Sequence, residues 1–449
     1  MSERFEIRDP IYGFIFFNEL EKEIIDSPPF QRLRRIKQLG FSDYVYPGAT
    51  HTRFEHSLGV MESASRIFDT VVNDPELSDN DKRKFKFPES LESDRKVLRL
   101  AALFHDIGHS PFSHSSEGLF PKEIINGDER ELTHEDYIEP IINYTGLYKK
   151  LLPFFEAERF TLDDILWIAG GNLKKPPRRA FDHLLREIIT GDLGADRIDY
   201  LIRDSLHLGV GYGMFDHIKL IESMRILERP VISGEVDNGS DPTFYPKEIK
   251  TKPEPALGID YNGRYATESL MLARYFMFTQ VYFHKTRRIL DTHLASFLKT
   301  ILEGGVFPKD PISYLEWDDV KVLNHLFEHQ SKSNHYSRLL ERRHLREAYE
   351  FTAEEEMDYG KLEDIEKALK DEFGENDIVV DTTQDKPPGK YNYGKPEFPV
   401  YNKNKRKIEP ITDYSDILAV LKPVYIVRVY SKKGTEDQVK KFIKRREWE

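Results

Sequence analysis

The chain has 449 residues, of which 39% are hydrophobic and 32% are charged, as expected of a globular protein with a large core and more than one domain. Its net charge of −12 disfavours a mainly nonspecific nucleic-acid binder, and the absence of cysteine excludes disulfides and thiolate metal sites. The sequence contains no signal-peptide core and no run of about 18 apolar residues, so we expect a cytoplasmic protein that does not cross a membrane.

The N-terminal segment predicts a small hairpin. Residues 5–17 are β-formers interrupted by Asp9-Pro10 and Gly13. Residues 19–26 then predict a short helix. The basic residues 30–39 predict another, whose arginines either face solvent or bind phosphate.

A longer helix is predicted around His56. The apolar residues that follow have helical spacing, which places this histidine near the first turn. A lone histidine there is more often a core or capping residue than a ligand. Arg53, one turn earlier, is a candidate anion binder.

Residues 101–114 are the centre of the chain, because an apolar helical run there leads into three histidines and an aspartate. Gly108 and Pro111 end or bend the helix, so His105 and Asp106 are expected near the end of a mostly buried helix. A buried His–Asp pair is either a hydrogen-bonded core pair or part of a metal site. Without cysteine, such a site would use only nitrogen and oxygen ligands.

Two further helix starts carry polar residues. Residues 115–133 read as a loop, after which Thr133 is the predicted cap of a helix that begins at His134. From Ala195 the sequence is again helical, with Asp196 and Asp199 on one face. These acids either line a polar cavity or form ion pairs on an exposed helix.

The remainder predicts a long helical segment and a mixed lobe. Residues 228–263 suggest a hairpin with a long insertion at 234–256 that we cannot assign, and 264–303 suggest one long helix or a kinked pair. The elements expected after residue 306 are helices at 318–330, 337–351, 361–373 and 435–448, strand pieces at 379–380 and 400, and a strand at 422–430.

Several motifs together resemble the HD-domain deoxynucleoside triphosphate triphosphohydrolases, the dGTPase family. The similarity is closest to bacterial relatives of the SAM-and-HD-domain enzymes and covers most of the chain. It implies a mainly α fold, with an HD core and N-terminal hairpin in residues 1–305 and a smaller α+β lobe in 306–449 for oligomer and regulatory contacts. We expect no SAM domain. The residues that carry the resemblance are His56, His105, Asp106, Asp196 and the segments 30–40, 46–49, 51–60 and 108–114.

The resemblance implies a role for each matching site residue. One divalent metal, Mn, Fe, Ni, Zn or Mg, would be held by His56, His105, Asp106 and Asp196. The catalytic group around the α-phosphate would be His109, His114, His134 and Glu117, which replaces an aspartate. Arg53, Arg197 (in place of a lysine) and Arg274 would hold the triphosphate. Gln38 and Asp204 would bind the 3′-hydroxyl, while Leu39, Tyr200 and Tyr282 would pack against the sugar.

The resemblance also implies regulation by nucleotides. We expect a homotetramer activated by GTP or dGTP, with Mg accompanying the nucleotides. The matching allosteric positions are Asp26, Gln31 and Arg34 for a guanine base, and Val45, Tyr46, His284 and Lys285 near a second activator.

The expected activity is metal-dependent hydrolysis of dGTP and other dNTPs to deoxynucleoside and triphosphate. Two alternatives remain: another HD phosphohydrolase, acting on nucleoside monophosphates or guanosine tetraphosphate, and a nucleotide or nucleic-acid sensor whose footprint is the basic C-terminal helix.

Overall fold

The structure is a computed structural model. It describes residues 4–88, 90–125, 128–170, 177–228, 255–329, 334–351, 359–385, 398–422, 424–446 and 448. The predicted insertion lies almost wholly outside these residues. Within them, no helix combines the length and the apolar character that crossing a bilayer requires.

Helices dominate the described chain, which confirms the predicted mainly α fold. They are α1 (Glu19–Ile25), α2 (Pro28–Arg32), α3 (Arg53–Val72), α4 (Asp79–Lys84), α5 (Leu91–Phe104), α6 (Ile138–Tyr144), α7 (Leu147–Glu158), α8 (Leu162–Ile168), α9 (Ala180–Thr190), α10 (Ala195–Leu208), α11 (His217–Glu222), α12 (Arg264–Met277), α13 (Lys285–Ile301), α14 (Pro311–Leu315), α15 (Asp319–Glu328), α16 (Asn334–Leu339), α17 (Tyr359–Phe373), α18 (Asp416–Val420) and α19 (Glu436–Arg445).

The strands form small sheets at the edges of the helical core. They are β1 (Phe5–Asp9), β2 (Gly13–Phe17), β3 (Lys122–Ile125), β4 (Asp128–Glu131), β5 (Met224–Glu228), β6 (Pro255–Asp260), β7 (Arg346–Phe351), β8 (Ile378–Asp385), β9 (Pro399–Asn402), β10 (Lys407–Pro410) and β11 (Val424–Ser431). Two hairpins pair β1 with β2 and β3 with β4, and two sheets have the orders β10-β9-β6-β5 and β7-β11-β8. The hairpins predicted at 5–17 and around the insertion are thereby confirmed, the latter as the antiparallel pair β5–β6.

The main core is built where α3 packs against α5 and α10. Apolar residues repeat on the buried faces of these helices, as in Val60, Met61 and Ala64 of α3. A second, smaller core joins α17 and α19 to the sheet of β7, β8 and β11. The main core also includes residues that follow the predicted boundary at 305, because Tyr314 and Leu326 belong to it. The division at residue 305 stays a prediction.

Three predicted elements differ from the structure. Residues 30–39 are not one helix: α2 ends at Arg32, a 3-10 turn covers Leu33–Arg35, and Ile36 is extended because its carbonyl accepts a hydrogen bond from Arg53 N at 3.0 Å. Residues 115–133 contain the β3–β4 hairpin where we expected a loop.

The third difference lies at 337–351. There α16 ends at Leu339 and β7 follows, because alternating Glu347, Tyr349 and Phe351 extend the sheet beside β11. The segment 264–303 is the kinked pair, since a π-helical turn at Phe278–Tyr282 separates α12 from α13.

Candidate active site

Three helix ends bring the candidate metal ligands together. A capping box between Thr52 and Glu55 starts α3 and fixes His56 in its first turn. His105 is the C-cap residue of α5, and Asp106 follows it directly. Asp196 lies in the first turn of α10. Because each ligand stands at an end of a packed helix, the core fixes the position of every one.

The four side chains converge on one point. His56 Nε2 lies 3.1 Å from Asp196 Oδ1 and 3.6 Å from Asp106 Oδ2. His105 Nε2 lies 3.5 Å from Asp106 Oδ1 and 3.9 Å from Asp196 Oδ1. Asp196 is 33% exposed while the other three are buried, so the group opens on the side of Asp196.

The histidine tautomers fit a cation at this point. The Nδ1 atom of His56 lies 2.8 Å from Asp199 Oδ2, and that of His105 lies 2.7 Å from the carbonyl of Ala102. Each Nδ1 therefore carries the proton, and each Nε2 presents a lone pair. Both Nε2 atoms are buried and make no hydrogen bond. Buried atoms of this kind need a partner, and neutral imidazole with carboxylate is a suitable donor set for a divalent metal.

The electrostatics point the same way. Burial disfavours the imidazolium of His56, yet Asp196, Asp199 and Asp106 raise its pKa to about 10, so these carboxylates favour a positive charge at the ring. Burial also opposes ionisation of Asp106, but the charges of Arg53, His105 and His109 hold the pKa of Asp106 well below its usual range. A metal bound at His56 Nε2 would supply that positive charge in place of a second ring proton.

A buried ion chain supports His56 from behind. Arg203 donates to both carboxylate oxygens of Asp199 at 2.9 Å and to Asp9 Oδ2 at 2.9 Å. Asp9 also accepts the amides of Ile11 and Tyr12 in the β1–β2 turn. The N-terminal hairpin is thus tied through α10 to the candidate metal ligand. A carboxylate behind a ligating histidine orients the ring and raises its basicity.

The four candidate catalytic residues lie beside this group. His109 Nε2 is 3.2 Å from Asp106 Oδ1, and the rings of His109 and His134 stack with centroids 3.8 Å apart. Glu117 joins the other two, because its Oε2 lies 2.8 Å from His114 Nδ1 and its Oε1 2.9 Å from His134 Nδ1.

Their protonation differs. Burial and the charges of Arg53 and His134 hold the pKa of His109 well below its usual range. Burial also lowers the pKa of His134, but the neighbouring Glu135 and Glu117 outweigh this effect and raise the pKa to about 9. The structure therefore pairs a neutral ring with a protonated one.

The candidate sugar-binding residues form a second polar cluster. Asp204 accepts a hydrogen bond from Tyr282 Oη at 2.6 Å, and its other oxygen lies 2.7 Å from His51 Nε2. The rings of Tyr200 and Tyr282 meet edge to face at 6.2 Å. The backbone N–H of Gln38 donates to the His51 carbonyl at 3.0 Å. The side-chain Oε1 of Gln38 is buried and makes no hydrogen bond. Leu39 is buried close by in the sequence.

The three candidate triphosphate arginines have different neighbours. Arg53 donates to Asp106 Oδ2 at 2.5 Å and to Ser113 Oγ at 2.8 Å. Arg197 pairs with Asp192, and the guanidinium of Arg274 lies 4.5 Å from the centre of the Phe278 ring. Arg53 thus directly contacts a candidate metal ligand.

The candidate allosteric residues fall into two surface groups. In the first, Arg34 donates to Gln31 Oε1 at 2.9 Å and covers the Phe54 ring at 3.4 Å, while Asp26 pairs with Lys22. In the second, which also includes Val45, the rings of Tyr46 and His284 lie 6.3 Å apart and Lys285 pairs with Glu347.

Sequence reasoning missed some of the residues that organise these clusters. His51 connects Gln38 to Asp204, yet it carried no prediction. Asp199 was expected on the same face as Asp196, and both contact His56; the bond of Asp199 to Arg203 and its complete burial were not predicted. The four-residue spacing of Asp199 and Arg203 on a helix was a signal for this pair. No local signal marked His51.

Comparison with known proteins agrees with this geometry. The HD-domain family model matches residues 53–204 and the HD-associated region matches 250–445. The chain is 34% identical over 342 residues to an uncharacterized protein of Methanocaldococcus jannaschii, covering 74% of this chain and 59% of that one. It is 35% identical over 319 residues to the Bos taurus deoxynucleoside triphosphate triphosphohydrolase SAMHD1, covering 65% and 47%.

A solved structure extends the similarity to the whole chain. A hypothetical protein of Aquifex aeolicus has a TM-score of 0.73 and 30% identity and covers 98% of this chain and 99% of its own. The curated relatives are longer, so that the chain spans about half to three fifths of their length. The helical fold, the convergent histidine and aspartate ligands and these matches lead to one conclusion: the chain belongs to the HD-domain phosphohydrolase family, with the HD-associated region.

Proposed function

We propose that the protein is a metal-dependent hydrolase that converts dGTP and other dNTPs to deoxynucleoside and inorganic triphosphate. One observation carries the proposal. His109 lies within 3.2 Å of the candidate ligand Asp106, so a group suited to a phosphate directly adjoins a group suited to a metal. The similarity to a curated dNTP triphosphohydrolase supports the same reaction class.

His56, His105, Asp106 and Asp196 would hold the metal. A bound divalent ion would polarise a phosphate oxygen and lower the pKa of a bound water. Arg53 would stabilise negative charge on the α-phosphate, since its guanidinium already lies at the edge of the metal group. The native metal can be Mn, Fe, Ni, Zn or Mg, and Mg would accompany the nucleotide.

The leaving 5′-oxygen needs a proton, and His134 is the best-supported donor. Glu117 accepts from its Nδ1, so Nε2, which lies 3.5 Å from Glu135 Oε1, would give the proton, and Glu135 and Glu117 keep the ring protonated at neutral pH. His114, held by the other oxygen of Glu117, would bind the phosphate. His109 stays neutral beside Arg53 and would position the phosphate rather than protonate it.

The cluster around Asp204 would select a deoxyribose. Gln38 Oε1 and the carboxylate of Asp204 are acceptors that suit a 3′-hydroxyl. The rings of Tyr200 and Tyr282, together with Leu39, would occupy the space that a 2′-hydroxyl needs. Arg197 and Arg274 would extend the anion site toward the β- and γ-phosphates.

We further propose a homotetramer activated by GTP or dGTP. Asp26, Gln31 and Arg34 would read the guanine, and Val45, Tyr46, His284 and Lys285 would contact a second nucleotide. The exposed Gln31–Arg34 pair and the adjacent rings of Tyr46 and His284 are compatible with this assignment.

Product analysis tests the proposal. Purified protein is incubated with dGTP alone, with each other dNTP alone and with pairs, in Mn²⁺ or Mg²⁺ and with chelator. We expect deoxynucleoside and intact triphosphate, lost with chelator and in H105A. H183A is the matched control, because His183 is half-buried on α9 against the Trp167 ring and belongs to none of these groups.

Other outcomes would contradict the proposal in distinct ways. Orthophosphate or pyrophosphate as product would place the protein with another HD phosphohydrolase activity. Binding of nucleotide or single-stranded DNA with no turnover in any metal would favour a sensor.

A further inference from the structure

Asp319, in the first turn of α15, connects two parts of the candidate active site. It is buried, and its Oδ2 accepts the amide of Lys37 at 2.9 Å while its Oδ1 accepts the amide of Phe112 at 2.7 Å. Lys37 directly precedes Gln38, in the segment assigned to the sugar. Phe112 lies between His109 and His114, in the segment assigned to the phosphate. A single carboxylate therefore holds both segments.

The loop that Asp319 holds is strained. Phe112 and Ser113 both have a φ of 57°, a left-handed conformation that costs energy for residues other than glycine. Such a conformation persists only where neighbouring groups enforce it. Ser113 Oγ donates to the Lys37 carbonyl at 2.7 Å, and the Phe112 ring stacks on Phe41 at 4.6 Å. The buried acceptor on the Phe112 amide is a further restraint.

The chain just before Asp319 contacts the same loop. Tyr314 Oη donates to the Gly108 carbonyl at 2.7 Å. Arg32, itself fully buried, donates to the Trp317 carbonyl at 2.9 Å and 2.6 Å and to the His109 carbonyl at 2.9 Å. We call Tyr314, Trp317 and Asp319 the brace. Tyr314 and Asp319 bond directly to the loop of residues 108–114, at Gly108 and Phe112, and Arg32 links Trp317 to His109 in the same loop.

We propose that Asp319 is a positioning residue that sets the sugar-binding segment at residues 37–39 in register with the phosphate-binding histidines. The inference rests on the proposed function, because register matters only where one substrate spans both segments. A carboxylate suits the task since each oxygen accepts one amide. An asparagine of the same size keeps one acceptor and turns an amino group toward the other amide.

D319N tests the inference, with D318N as the matched control. Asp318 is also buried, but it caps Lys321 and pairs with Arg35, touching neither segment. We expect D319N to lower kcat for dGTP at least about tenfold, because small misplacements of reacting groups reduce rates strongly. D318N should stay within about threefold of the parent chain.

Product binding separates positioning from a general loss of structure. In D319N the inhibition constants of deoxyguanosine alone and of triphosphate alone should each stay within about threefold of the parent values, because each half-site is intact. Weakening of either product by as much as kcat falls would overturn the inference, as would equal loss of kcat in D318N and D319N.

Hydrogen exchange provides a readout that does not depend on turnover. D319N should speed amide exchange in peptides covering residues 36–41 and 108–116, and D318N should not. Unchanged exchange in both peptides would overturn the inference. If the parent chain fails to hydrolyse dGTP, the proposed function fails, while faster exchange would still identify Asp319 as the link between the segments.

Discussion

At the scale of single residues, Gly59 is tied to the candidate metal centre without being a ligand. It lies on α3 one turn after His56, where α3 meets α10. A Cβ atom at this position would overlap Asp199 Oδ1 and Arg203 Nη2. The close approach of the two helices therefore depends on the absence of a side chain, and so does the hydrogen bond that His56 donates to Asp199.

We predict that G59A weakens metal binding by roughly 10–100-fold, because it displaces the carboxylate that orients His56. The measurement is metal content per chain after equilibration at a series of free Mn²⁺ concentrations. G211A is the control, since a Cβ there meets no atom within 4 Å. Equal metal affinity in G59A and the parent chain would show that Asp199 does not support His56.

The sequence draws attention to the candidate ligands of this site more than to the residues that support them. His105-Asp106 and the spaced His56 and Asp196 stand out locally because polar groups interrupt apolar helices. The roles of Asp199 and His51 depend on which helices face each other, and a single sequence contains no direct signal of that. The same holds for Asp319, which lies more than 200 residues from the loop it holds.

At the scale of elements, periodicity identified the helices of the core. It gave wrong predictions for two segments that are extended because they hydrogen-bond to distant parts of the chain. Residues 30–39 have helical composition, but Ile36 and Gln38 hydrogen-bond to residues 51–53, and this pairing replaces the helix. Residues 346–351 were predicted to be helical, but they form a strand because they pair with the neighbouring strand β11. Propensity is a weak prior that such contacts override.

Asp319, in the brace, is expected to make the stability of the folded chain depend on pH. Burial raises the pKa of Asp319 to about 7, although the amides of Lys37 and Phe112 and the charges of Lys37 and Arg32 oppose the shift. The folded chain thus retains a proton that the unfolded chain releases above about pH 4. Stability contributed by this proton is fully present below pH 4 and is lost as pH rises to about 7.

D319N has no group to titrate at this position. We therefore expect the free energy of unfolding of D319N, relative to the parent chain, to increase from pH 5 to pH 7 by up to roughly 1.4 kcal/mol per pH unit. Urea unfolding at pH 5, 6, 7 and 8 measures this difference, with D318N as the comparison. A difference that is constant with pH would mean that Asp319 is ionised throughout.

At the scale of the whole molecule, the two matched family regions are joined through the candidate active site. The HD model ends at residue 204, yet Asp319 and Tyr314, from the HD-associated region, bond to the loop that follows Asp106. A change in the packing of that region would therefore move the candidate phosphate-binding histidines through the brace. This connection is a physical route by which the proposed subunit contacts would alter catalysis.

The proposed activator site lies close to the same centre. Arg34 covers the Phe54 ring, and Phe54 stands two residues before His56 at the start of α3. A guanine nucleotide held by Gln31 and Arg34 would order the first turn of α3 and could bridge to a second subunit. Because a ligand that binds only the assembled form favours assembly by mass action, GTP should promote the tetramer.

We predict that GTP or dGTP shifts the chain to a tetramer in sedimentation velocity and increases turnover of a second dNTP. R34A should raise the nucleotide concentration needed for both effects by roughly tenfold or more, since it removes a charged hydrogen-bond donor. R83A is the control, because Arg83 is exposed on α4 and bonds to the Asp79 carbonyl of its own helix. Full activity of a monomer without activator would contradict the prediction, and an R34A response equal to that of R83A would move the activator site elsewhere.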